Sequence, residues 1–390
     1  MSDLLNGRWQ ETKEALLEGL NGTRRSSMSV TLENTRKYLA ESASAGATSA
    51  GNVATLNRVI LPVIRRVMPT VIANELVGVQ PMTGPVGQIH TLRVRYSDTS
   101  ANAGVLAGEE ALSPFKIAAS YSGNETAATP RAGSTATLEG AAGKRMSIQI
   151  LKQVVEAKTR KLSARWTFEA AQDAQAQQGI DIEAEIMAAL AQEITAEIDQ
   201  EILGSLRSLA GTAVETYNQA AVSGTATFVG DEHAALAVQI NRAANLIAQR
   251  TRRGAGNWAV VSPTTLTLLQ SATTSAFART TEGTFEAPTN TKFVGTLNSA
   301  MKVYVNTYAA DDNVLVGYKG SSESDAAAFY CPYIPLMSSG VVLDPATFEP
   351  VVSFMTRYGY VELTNTASSL GNAADYLATV AVTSANLRFA

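Results

Sequence analysis

The strongest hydrophobic pattern in the chain predicts one long amphipathic helix over residues 180–203. Large apolar residues recur every four positions along this segment. They are Ile182, Ile186, Leu190, Ile194, Ile198 and Ile202. This spacing places a single apolar stripe on a helix, and Asp181 is a favourable N-cap before it. At about 1.5 Å per residue the helix is on the order of 35 Å long, so we expect it to act as a strut.

Two segments of alternating polarity predict a long two-stranded arm. In residues 88–96 one face is made by His90, Leu92, Val94 and Tyr96. In residues 145–162 one face is made by Met146, Ile148 and Ile150. Residues 97–144 between them are far longer than an ordinary loop, so we expect a tip that is loose or carries a small elaboration. Two strands bury too little to be stable alone in water, and the arm must therefore lie on its own body or on a neighbour.

The start of the chain divides into three stretches. Residues 1–41 form a charged, amphipathic helical extension, and residues 42–51 (SASAGATSAG) are small residues typical of a flexible joint. Residues 65–88 begin in a helical pattern with Arg65 and Arg66. They end on Pro81, Gly84, Pro85 and Gly87, which favour a stiff, extended path.

The rest of the chain mixes helices with strands and predicts an α+β fold. We expect one helix from Asp231 to just before Gly254, and Ser262 followed by Pro263 is expected to begin another. β-branched and aromatic content predicts several strands. They are residues 258–262, 301–305, 314–318, 327–337 and 351–363.

Composition bounds the architecture and the partners. With 390 residues, of which 45% are apolar, the chain is long enough for two or three lobes with cores of their own. Only 17% of the residues are charged, which indicates that something else, such as other copies, covers much of the exterior. The net charge of -4 argues against a dedicated nucleic-acid-binding protein.

Cysteine content and hydropathy indicate the compartment. Cys331 is the only cysteine, so no disulfide can form within the chain and we expect a reducing environment. The first helix interleaves leucines with charges, unlike a signal peptide. No apolar run reaches the roughly 18 residues that a membrane span needs, so we expect no membrane span and a protein that is soluble and intracellular when made.

Few side chains in this sequence are suited to catalysis or metal binding. His90 and His233 are the only histidines, and neither lies in a nucleophile motif, so we expect both to be structural or surface residues. Two histidines and one cysteine without close spacing cannot make a standard zinc site. Cys331 is expected to be a small buried residue. We therefore expect no catalytic residue, metal or cofactor.

Two glycine motifs resemble nucleotide-binding loops but lack the required context. Residues 254–259 (GAGNWA) follow a helix and precede a strand, the reverse of the order that brings a pyrophosphate to a helix N-terminus. Residues 140–145 (GAAGKR) have glycines too close together, and Arg145 replaces the Ser or Thr of a phosphate-binding loop. We reject both as nucleotide sites.

Charged residues form an acidic helix face and short basic clusters. The acids are Glu183, Glu185, Glu193, Glu197 and Glu201. We expect them to be the solvated face of the long helix, although carboxylates remain the one class of catalyst still open. The basic clusters suit ion pairing with another subunit better than a continuous phosphate track. They are Arg24 with Arg25, Arg65 with Arg66, Lys158 with Arg160 and Lys161, and Arg250 with Arg252 and Arg253.

Several long stretches, taken in order, carry a resemblance to a known family. They are RRVMPTVIANELVGVQPMTGPVGQ from Arg65, VVEAKTRKLSARWTFEAAQDAQAQQGIDIEAEI from Val154, MKVYVNTYAADDNVLVGYKG from Met301, and AAAFYCPYIPL from Ala326 with VSFMTRYG from Val352. In these stretches the sequence resembles the major capsid proteins of T-even-like tailed bacteriophages. The resemblance runs from about Leu61 to Tyr360, which is most of the chain.

That family has the Hong Kong 97-type capsid fold. The resemblance therefore implies an α+β fold with an N-terminal arm, a long E-loop hairpin, a peripheral domain with a spine helix, and an axial domain. The expected boundaries are 1–41 for the extension, 42–86 for the arm, 87–162 for the hairpin with an insertion at 97–144, 163–230 and 326–390 for the peripheral domain with the spine helix at 180–203, and 231–325 for the axial domain.

The resemblance implies a structural shell protein rather than an enzyme. Its copies would form hexamers, with pentamers left open, and would close into an icosahedral head that encloses DNA without sequence-specific binding. The implied location is the virion head shell, assembled in the cytoplasm of the host bacterium. Portal, scaffold and prohead protease are implied as partners during assembly, and decoration proteins are left open.

The resemblance also implies particular residues at processing and contact sites. Family members carry an extension that a prohead protease cuts after Glu in a Leu/Ile-x-Glu pattern. This pattern places a cut between Glu41 and Ser42, with a weaker second match ending at Glu18. Residues expected at contacts between subunits are Arg65, Arg66, Pro81, Pro85, Leu92, Val94, Tyr96, Ile148 and Ile150.

Other interpretations stay open from the sequence. The matched motifs do not separate a major capsid protein from a capsid vertex protein of the same fold. A bacterial nanocompartment shell would share the same wall. An intracellular, carboxylate-dependent oligomeric enzyme is the alternative from another class.

Overall fold

The computed structural model describes most of the chain between Trp9 and Leu387. The described residues are 9–10, 13–14, 16–17, 22–44, 72–101, 104–109, 111, 120–123, 132–140, 142–178, 182–222, 229–272, 277–279, 292–298, 300–323, 325–347, 349–363, 373–383, 385 and 387.

The longest of the described helices has 29 residues, and two others have 23. In chain order the helices are α1 (Gly22–Ser44), α2 (Ala73–Leu76), α3 (Thr135–Leu138), α4 (Phe168–Gln178), α5 (Ile182–Ala210), α6 (Gln219–Val222), α7 (Val229–Thr251), α8 (Pro263–Ser271) and a 3-10 helix (Ala373–Tyr376). The helix predicted over residues 180–203 is confirmed from Ile182 onward as α5, which continues past Leu203 to Ala210 because Leu206 extends the buried stripe. The predicted N-cap, Asp181, lies outside the described residues.

The strands are β1 (Gly78–Val79), β2 (Val86–Tyr96), β3 (Met146–Glu156), β4 (Lys158–Arg165), β5 (Glu215–Tyr217), β6 (Trp258–Val261), β7 (Phe277–Arg279), β8 (Lys292–Leu297), β9 (Met301–Val305), β10 (Val314–Gly317), β11 (Ala328–Ser338), β12 (Val342–Leu343), β13 (Pro350–Glu362) and β14 (Leu377–Val382). Each of the five strands expected after residue 250 is confirmed within one or two residues of its predicted ends. The α+β class is confirmed.

These strands form three sheets. The first sheet has five strands in the order β1-β11-β13-β12, with β4 also paired to β13. The second sheet has seven strands in the order β5-β14-β10-β6-β9-β8-β7. The third is the two-stranded hairpin of β2 and β3.

The long helix α5 lies between the two larger sheets and builds one core with both. Its buried residues Ile194, Ile198 and Ile202 pack with Tyr330 of the first sheet and Trp258 of the second. A helix with this apolar stripe gains most of its stability from such packing rather than from intrinsic propensity. α5 therefore fixes the two sheets relative to each other, as expected of a strut.

A second core covers the opposite face of the second sheet. Buried residues of α7 such as Leu236, Ile240 and Ile247 pack there against Val303 and Val316. The predicted start of α8 is also confirmed, because Ser262 accepts the N–H of Thr265 at 3.1 Å and Pro263 is the first helical residue.

Two boundaries differ from those expected. The alternating segment 145–162 is not one strand, because Ala157 closes the hairpin by donating to the Pro85 carbonyl at 2.9 Å. Beyond it, Lys158 pairs with Tyr358 and begins β4 in the first sheet. The C-terminal strand β14 pairs with β5 and β10 in the second sheet, so residues 377–382 do not join the first sheet with the rest of 326–390.

Candidate inter-subunit surface

The hairpin of β2 and β3 is paired along its whole length. Val86 lies opposite Glu156 at the base, and Tyr96 lies opposite Met146 at the far end. Among the described residues, neither strand hydrogen-bonds into another sheet. At about 3.3 Å per residue, each strand extends on the order of 35 Å from the base.

One face of the hairpin carries five exposed apolar residues, interleaved with the exposed polar residues Gln88, His90, Lys152 and Glu156. The apolar residues are Val86 (56% exposed), Met146 (50%), Ile148 (68%), Ile150 (65%) and Val154 (50%). In the backbone register Ile148 lies opposite Val94 and Ile150 lies opposite Leu92, so these four predicted contact residues are paired across the two strands. An uncovered apolar row of this kind marks an interaction surface, because covering it removes apolar area from water.

The base of the hairpin is anchored on the first sheet, on the face turned away from α5. Val155 is buried there with Met82, Phe329 and Cys331. Gly359 lies directly beneath Val155, since a Cβ on Gly359 would lie 2.4 Å from Val155 Cγ1. This close approach fixes the direction in which the hairpin leaves the body.

A small folded knob closes the tip of the hairpin. Tyr96, Val105, Ala111 and Tyr121 are buried together, with the Tyr96 and Tyr121 ring centroids 4.6 Å apart. The small elaboration expected between the strands is therefore confirmed in the described part of residues 97–144. Tyr96 packs within its own chain, and its role between subunits stays a prediction.

Hydrogen bonds fix this knob to the strand ends. The Tyr121 hydroxyl donates to the Arg145 carbonyl at 2.5 Å. The Asp98 carboxylate accepts the Arg145 backbone N–H at 2.8 Å and its guanidinium at 3.3 Å. The backbone hydrogen bond from Arg145 is the largest cause that holds the pKa of Asp98 below its ordinary value. The described residues of the knob are thus held to the ends of both strands.

The remaining predicted contact residues precede the hairpin. Pro81 is half-buried and Pro85 is exposed, and both lie where the chain turns from β1 into β2. Arg65 and Arg66 lie outside the described residues. Whether these four residues contact another subunit stays a prediction.

The predicted protease site lies within α1. Glu41 and Ser42 belong to the last turn of this helix, which runs to Ser44. The small residues expected to form a joint from Ser42 are therefore helical for their first three positions. Cleavage at this bond stays a prediction.

The two histidines and the cysteine lie on three separate elements, β2, α7 and β11. His233 is buried, with Nδ1 2.5 Å from Ser271 Oγ, and His90 is exposed on the hairpin. Burial raises the pKa of the Cys331 thiol to about 12, which keeps it protonated. In the part of the chain that the structure describes, no three His, Cys, Asp or Glu residues form a group that could hold a metal ion. The described helices include none with the length and hydropathy of a membrane span.

Some of the charged residues expected to face solvent or another subunit form ion pairs within the chain. Arg160 Nη1 lies 2.6 Å from Glu197 Oε2, and Arg160 also pairs with Glu201 and donates to the Tyr358 hydroxyl. Burial would raise the pKa of Glu201, but the bonds from Arg160 and Tyr358 reverse this and leave it below its ordinary value. Arg160 therefore ties β4 to α5 within the chain.

The sequence did not predict the burial of two polar residues, Asn34 and Asp199. Asn34 on α1 bonds to backbone carbonyls near the hairpin base, and Asp199 on α5 bonds to the backbone of Ile72. The only signal for Asp199 is an acid directly beside the apolar stripe at Ile198. An isolated Asn in a polar helix gives no signal.

The chain is similar to known phage capsid proteins. The family model described as "Major capsid protein Gp23" matches residues 53–384. The major capsid protein of Vibrio phage KVP40 is 31% identical over 427 residues, which cover 85% of this chain and 82% of the relative. The major capsid protein of Enterobacteria phage T4 is 31% identical over 410 residues, which cover 83% of this chain and 78% of the relative.

Among solved structures, the capsid of Myoviridae phage XM1 aligns with a TM-score of 0.45 at 10% identity, covering 80% of this chain and 91% of that chain. The hairpin, the long helix and the two sheet-based bodies are the parts that a Hong Kong 97-type capsid fold implies. From the family match and the identity to its members, this chain belongs to the Gp23 family of major capsid proteins.

Proposed function

We propose that copies of this chain form hexamers that close into the icosahedral head shell of a tailed phage around its DNA. The family consists of structural capsid proteins, not enzymes, and the role assigned here is accordingly structural. The carboxylate-dependent enzyme considered from the sequence is not retained. Electron micrographs of the particles would show whether this chain also forms the vertices or whether a vertex protein of the same fold occupies them.

The exposed apolar face of the hairpin carries this proposal. Ile148 and Ile150 are 68% and 65% exposed, although both are strongly apolar. Covering such a face is worth about 25 cal/mol per Å2 of apolar area before ordering costs. A second copy of the chain supplies that cover in a capsomer, and each copy offers the same face to the next.

The anchored base supports a geometric mechanism. Val155 and Gly359 fix the hairpin at one end, so its apolar face is presented in one direction instead of many. Pro81 and Pro85 restrict the backbone just before the hairpin, which reduces the entropy lost on docking. We assign Arg65, Arg66, Pro81 and Pro85 to contacts between subunits.

The hairpin residues Leu92, Val94, Tyr96, Ile148 and Ile150 are assigned to the same interface. The knob at the tip belongs to the same contact, because it extends the hairpin farthest from its own body. We place Tyr96 at the inner edge of this contact, beneath the knob.

Assembly involves processing and further partners. We propose that a prohead protease cuts between Glu41 and Ser42, and that scaffold and portal proteins guide closure in the cytoplasm of the host bacterium. Decoration proteins would bind the finished virion head. The net charge of -4 supports DNA enclosure without specific binding. A basic inner wall would neutralise DNA phosphates, and each neutralised phosphate would add salt-sensitive affinity between the DNA and the wall.

One pair of variants tests the proposal. Ile148→Asp places a charge on the apolar face, and Gln149→Asp places the same charge on the opposite face of the same strand, where Gln149 is also exposed. We expect wild type and Gln149→Asp to elute as hexamers or larger particles on a sizing column and to form closed shells in electron micrographs. Ile148→Asp should remain folded but unassembled. Normal closed shells from Ile148→Asp, or a wild-type chain that stays monomeric at high concentration, would overturn the proposal.

A further inference from the structure

Residues 72–79, here called the strap, contact both of the larger sheets. The last two residues of the strap form β1, which pairs with β11 of the first sheet. The Glu75 carboxylate of the strap accepts hydrogen bonds from Lys302 and Tyr304 of β9 in the second sheet, each at 3.3 Å. The strap therefore ties the two sheets to each other, in addition to the core that α5 builds between them.

The connection from β10 to β11 holds the strap backbone at two further points. Lys319 donates from Nζ to the Asn74 carbonyl at 2.8 Å, and Glu323 accepts the N–H of Val79 at 2.8 Å. Lys319 and Glu323 also pair with each other at 3.2 Å. From Asn74 to Val79 the strap is thus held by a strand pairing and by charges that neutralise each other.

The first residue of the strap is held by a buried acid. Ile72 donates its N–H to Asp199 Oδ1 on α5 at 2.9 Å. Asp199 has no exposed surface, and its Oδ2 has no hydrogen-bond partner among the described residues. A buried carboxylate with an unpartnered oxygen loses the hydration that its ionised form requires. The contact at Ile72 is therefore sensitive to the ionisation of Asp199.

The elements that pack around α5 bring other charged or titratable groups to this core. They are Arg160 of β4, Glu201 of α5, Tyr304 of β9, Tyr330 of β11, Tyr358 of β13, Tyr376 of the 3-10 helix and Glu75 of the strap. Arg160, the cation in this set, is bound to Glu201. Burial, the largest cause, and the nearby Asp199 both raise the pKa of Tyr330, so this hydroxyl stays neutral. Within this set of described residues, Asp199 therefore has no countercharge.

Ionisation of Asp199 occurs near neutral pH. Burial raises its pKa to about 7, and the bond from Ile72 only partly opposes this rise. Once ionised, the carboxylate is stabilised if water reaches Oδ2. α5 is fixed by the central core, whereas Ile72 belongs to no strand and directly precedes α2. Movement of Ile72 is thus the smaller change that admits water.

We propose that Asp199 is a proton-operated catch for the strap: Ile72 stays bound to α5 while Asp199 is protonated and is released when Asp199 ionises. Glu75 and Leu76 both donate their N–H to the Ile72 carbonyl, so release of Ile72 also opens the first turn of α2. The pairing of β1 with β11 is kept. Ionisation thus frees the N-terminal end of the strap without separating the strap from the first sheet.

The direction of the pH dependence follows from the raised pKa. Stabilisation of the closed catch by the proton is fully present below about pH 3.9, the value for an exposed aspartate. It is lost as the pH rises through about 7, the pKa of Asp199 in the folded protein. The catch belongs to the single chain, so it does not depend on the proposed shell.

Hydrogen–deuterium exchange at single amides of the unassembled full chain tests the catch. Each exchange rate, measured between about pH 5 and about pH 8, is divided by the intrinsic rate at the same pH to give a protection factor. In wild type, the protection of the Ile72 and Leu76 amides should fall about tenfold or more over this range and level off above about pH 7.

Two references separate local release from global unfolding. The Val79 N–H, which Glu323 accepts, should remain more strongly protected than the Ile72 N–H throughout. Low concentrations of urea should leave the exchange of Ile72 unchanged, because local opening exposes little surface whereas global unfolding exposes much.

A matched pair of variants identifies the titrating group. Asp199→Asn keeps an acceptor for the Ile72 N–H and cannot ionise, so the protection of Ile72 should no longer depend on pH. Glu193→Gln removes an exposed carboxylate from the same helix and should keep the wild-type pH dependence. If Asp199→Asn does not fold, the wild-type pH profile and its response to urea decide.

Three results would overturn the catch. They are a protection of Ile72 that does not change with pH in wild type, a change that follows global unfolding in urea, and a pH dependence that persists in Asp199→Asn. Because none of these readouts requires particles, failure of the catch is distinguishable from failure of the shell proposal.

Discussion

The carboxylate of Asp199 accepts the backbone N–H of Ile72 at 2.9 Å in the middle of α5, where Asp199 has no exposed surface. Its second oxygen, Oδ2, has no hydrogen-bond partner among the described residues. Burial raises the pKa of Asp199 to about 7, and the hydrogen bond from Ile72 only partly opposes this. Ile72 directly precedes α2, so a titrating group on α5 lies against the start of α2.

The first prediction is that stability falls as pH rises from about 4 to about 7. In the unfolded chain an aspartate titrates near 3.9, whereas folded Asp199 titrates near 7. Between these values the folded state keeps a proton that the unfolded state has lost, so the free energy of unfolding decreases with pH. The stabilisation is fully present below about pH 3.9, the pKa of this group in the unfolded chain. It is lost as the pH rises through about 7, the pKa of Asp199 in the folded protein. Its full size is about 4 kcal/mol.

Asp199→Asn isolates this contribution. The amide oxygen keeps the acceptor for Ile72 and cannot ionise, so urea unfolding of the variant should vary less between pH 5 and pH 8 than that of wild type. The difference between the two proteins should be largest at pH 8, where the variant is the more stable. Parallel pH profiles for the two proteins would show that Asp199 does not titrate in this range.

The second prediction concerns the bridge made by Arg160. Arg160→Ala removes the ion pairs to Glu197 and Glu201 and the hydrogen bond to Tyr358. Glu201 is 41% exposed, so solvent screening limits the loss to about 1 kcal/mol in the free energy of unfolding.

The matched control lies on the same strand. Arg165 is 68% exposed, and its guanidinium is 3.9 Å from Glu349. Arg165→Ala should change the free energy of unfolding by less than about 0.5 kcal/mol, as is usual for exposed residues. Equal losses in the two variants, measured by denaturant unfolding at pH 7, would contradict the role given to Arg160.

The third prediction is that Gly359→Ala disturbs the hairpin base. A Cβ at this position would lie 2.4 Å from Val155 Cγ1 and 3.1 Å from the Glu156 carbonyl, so β3 must move away from the first sheet. We expect a loss of about 1–3 kcal/mol, as for other overpacked sites, together with poorer shell assembly. Gly143→Ala is the control, because a Cβ there meets nothing within 4 Å. Thermal unfolding of both variants measures the loss of stability, and electron microscopy shows whether each variant forms closed shells.

Local periodicity accounts for the parts that the sequence predicted well. α5 and the paired strands of the hairpin have side-chain repeats of about four and two residues, and these repeats identify the buried or shared face directly. β9 was predicted with its observed ends, Met301 and Val305, because its β-branched and aromatic residues form one short run.

Long-range pairing accounts for the parts of the fold that the sequence did not predict. Asn34 and Tyr333 are 299 positions apart, and the need for their bond arises only from a register shift in β11. β14 is as apolar as a strand of either sheet, so composition could not show that it pairs with β10. The division of residues 145–162 at Ala157 depends on the Pro85 carbonyl, which is distant in sequence.

The fourth prediction concerns the knob. Replacing residues 97–145 with Asn-Gly joins Tyr96 to Met146, its direct partner across the hairpin, through a two-residue turn suited to antiparallel strands. The buried cluster of the knob contains no residue of the two main cores, so thermal unfolding of the body should be unchanged. Assembly should stop at soluble capsomers or misshapen shells, because the hairpin then loses the part that extends farthest from its own body.

Tyr121→Ala separates the fold of the knob from its length. This variant keeps every other residue but removes the ring that packs on Tyr96 and the hydroxyl that bonds to the Arg145 carbonyl. If the knob acts as a preformed contact, Tyr121→Ala should impair closed-shell formation nearly as much as the replacement does. If only the length of the tip matters, it should assemble like wild type. Normal closed particles from the replacement itself would remove the hairpin tip from the assembly mechanism and leave the apolar face of β3 as the part that a neighbour must cover.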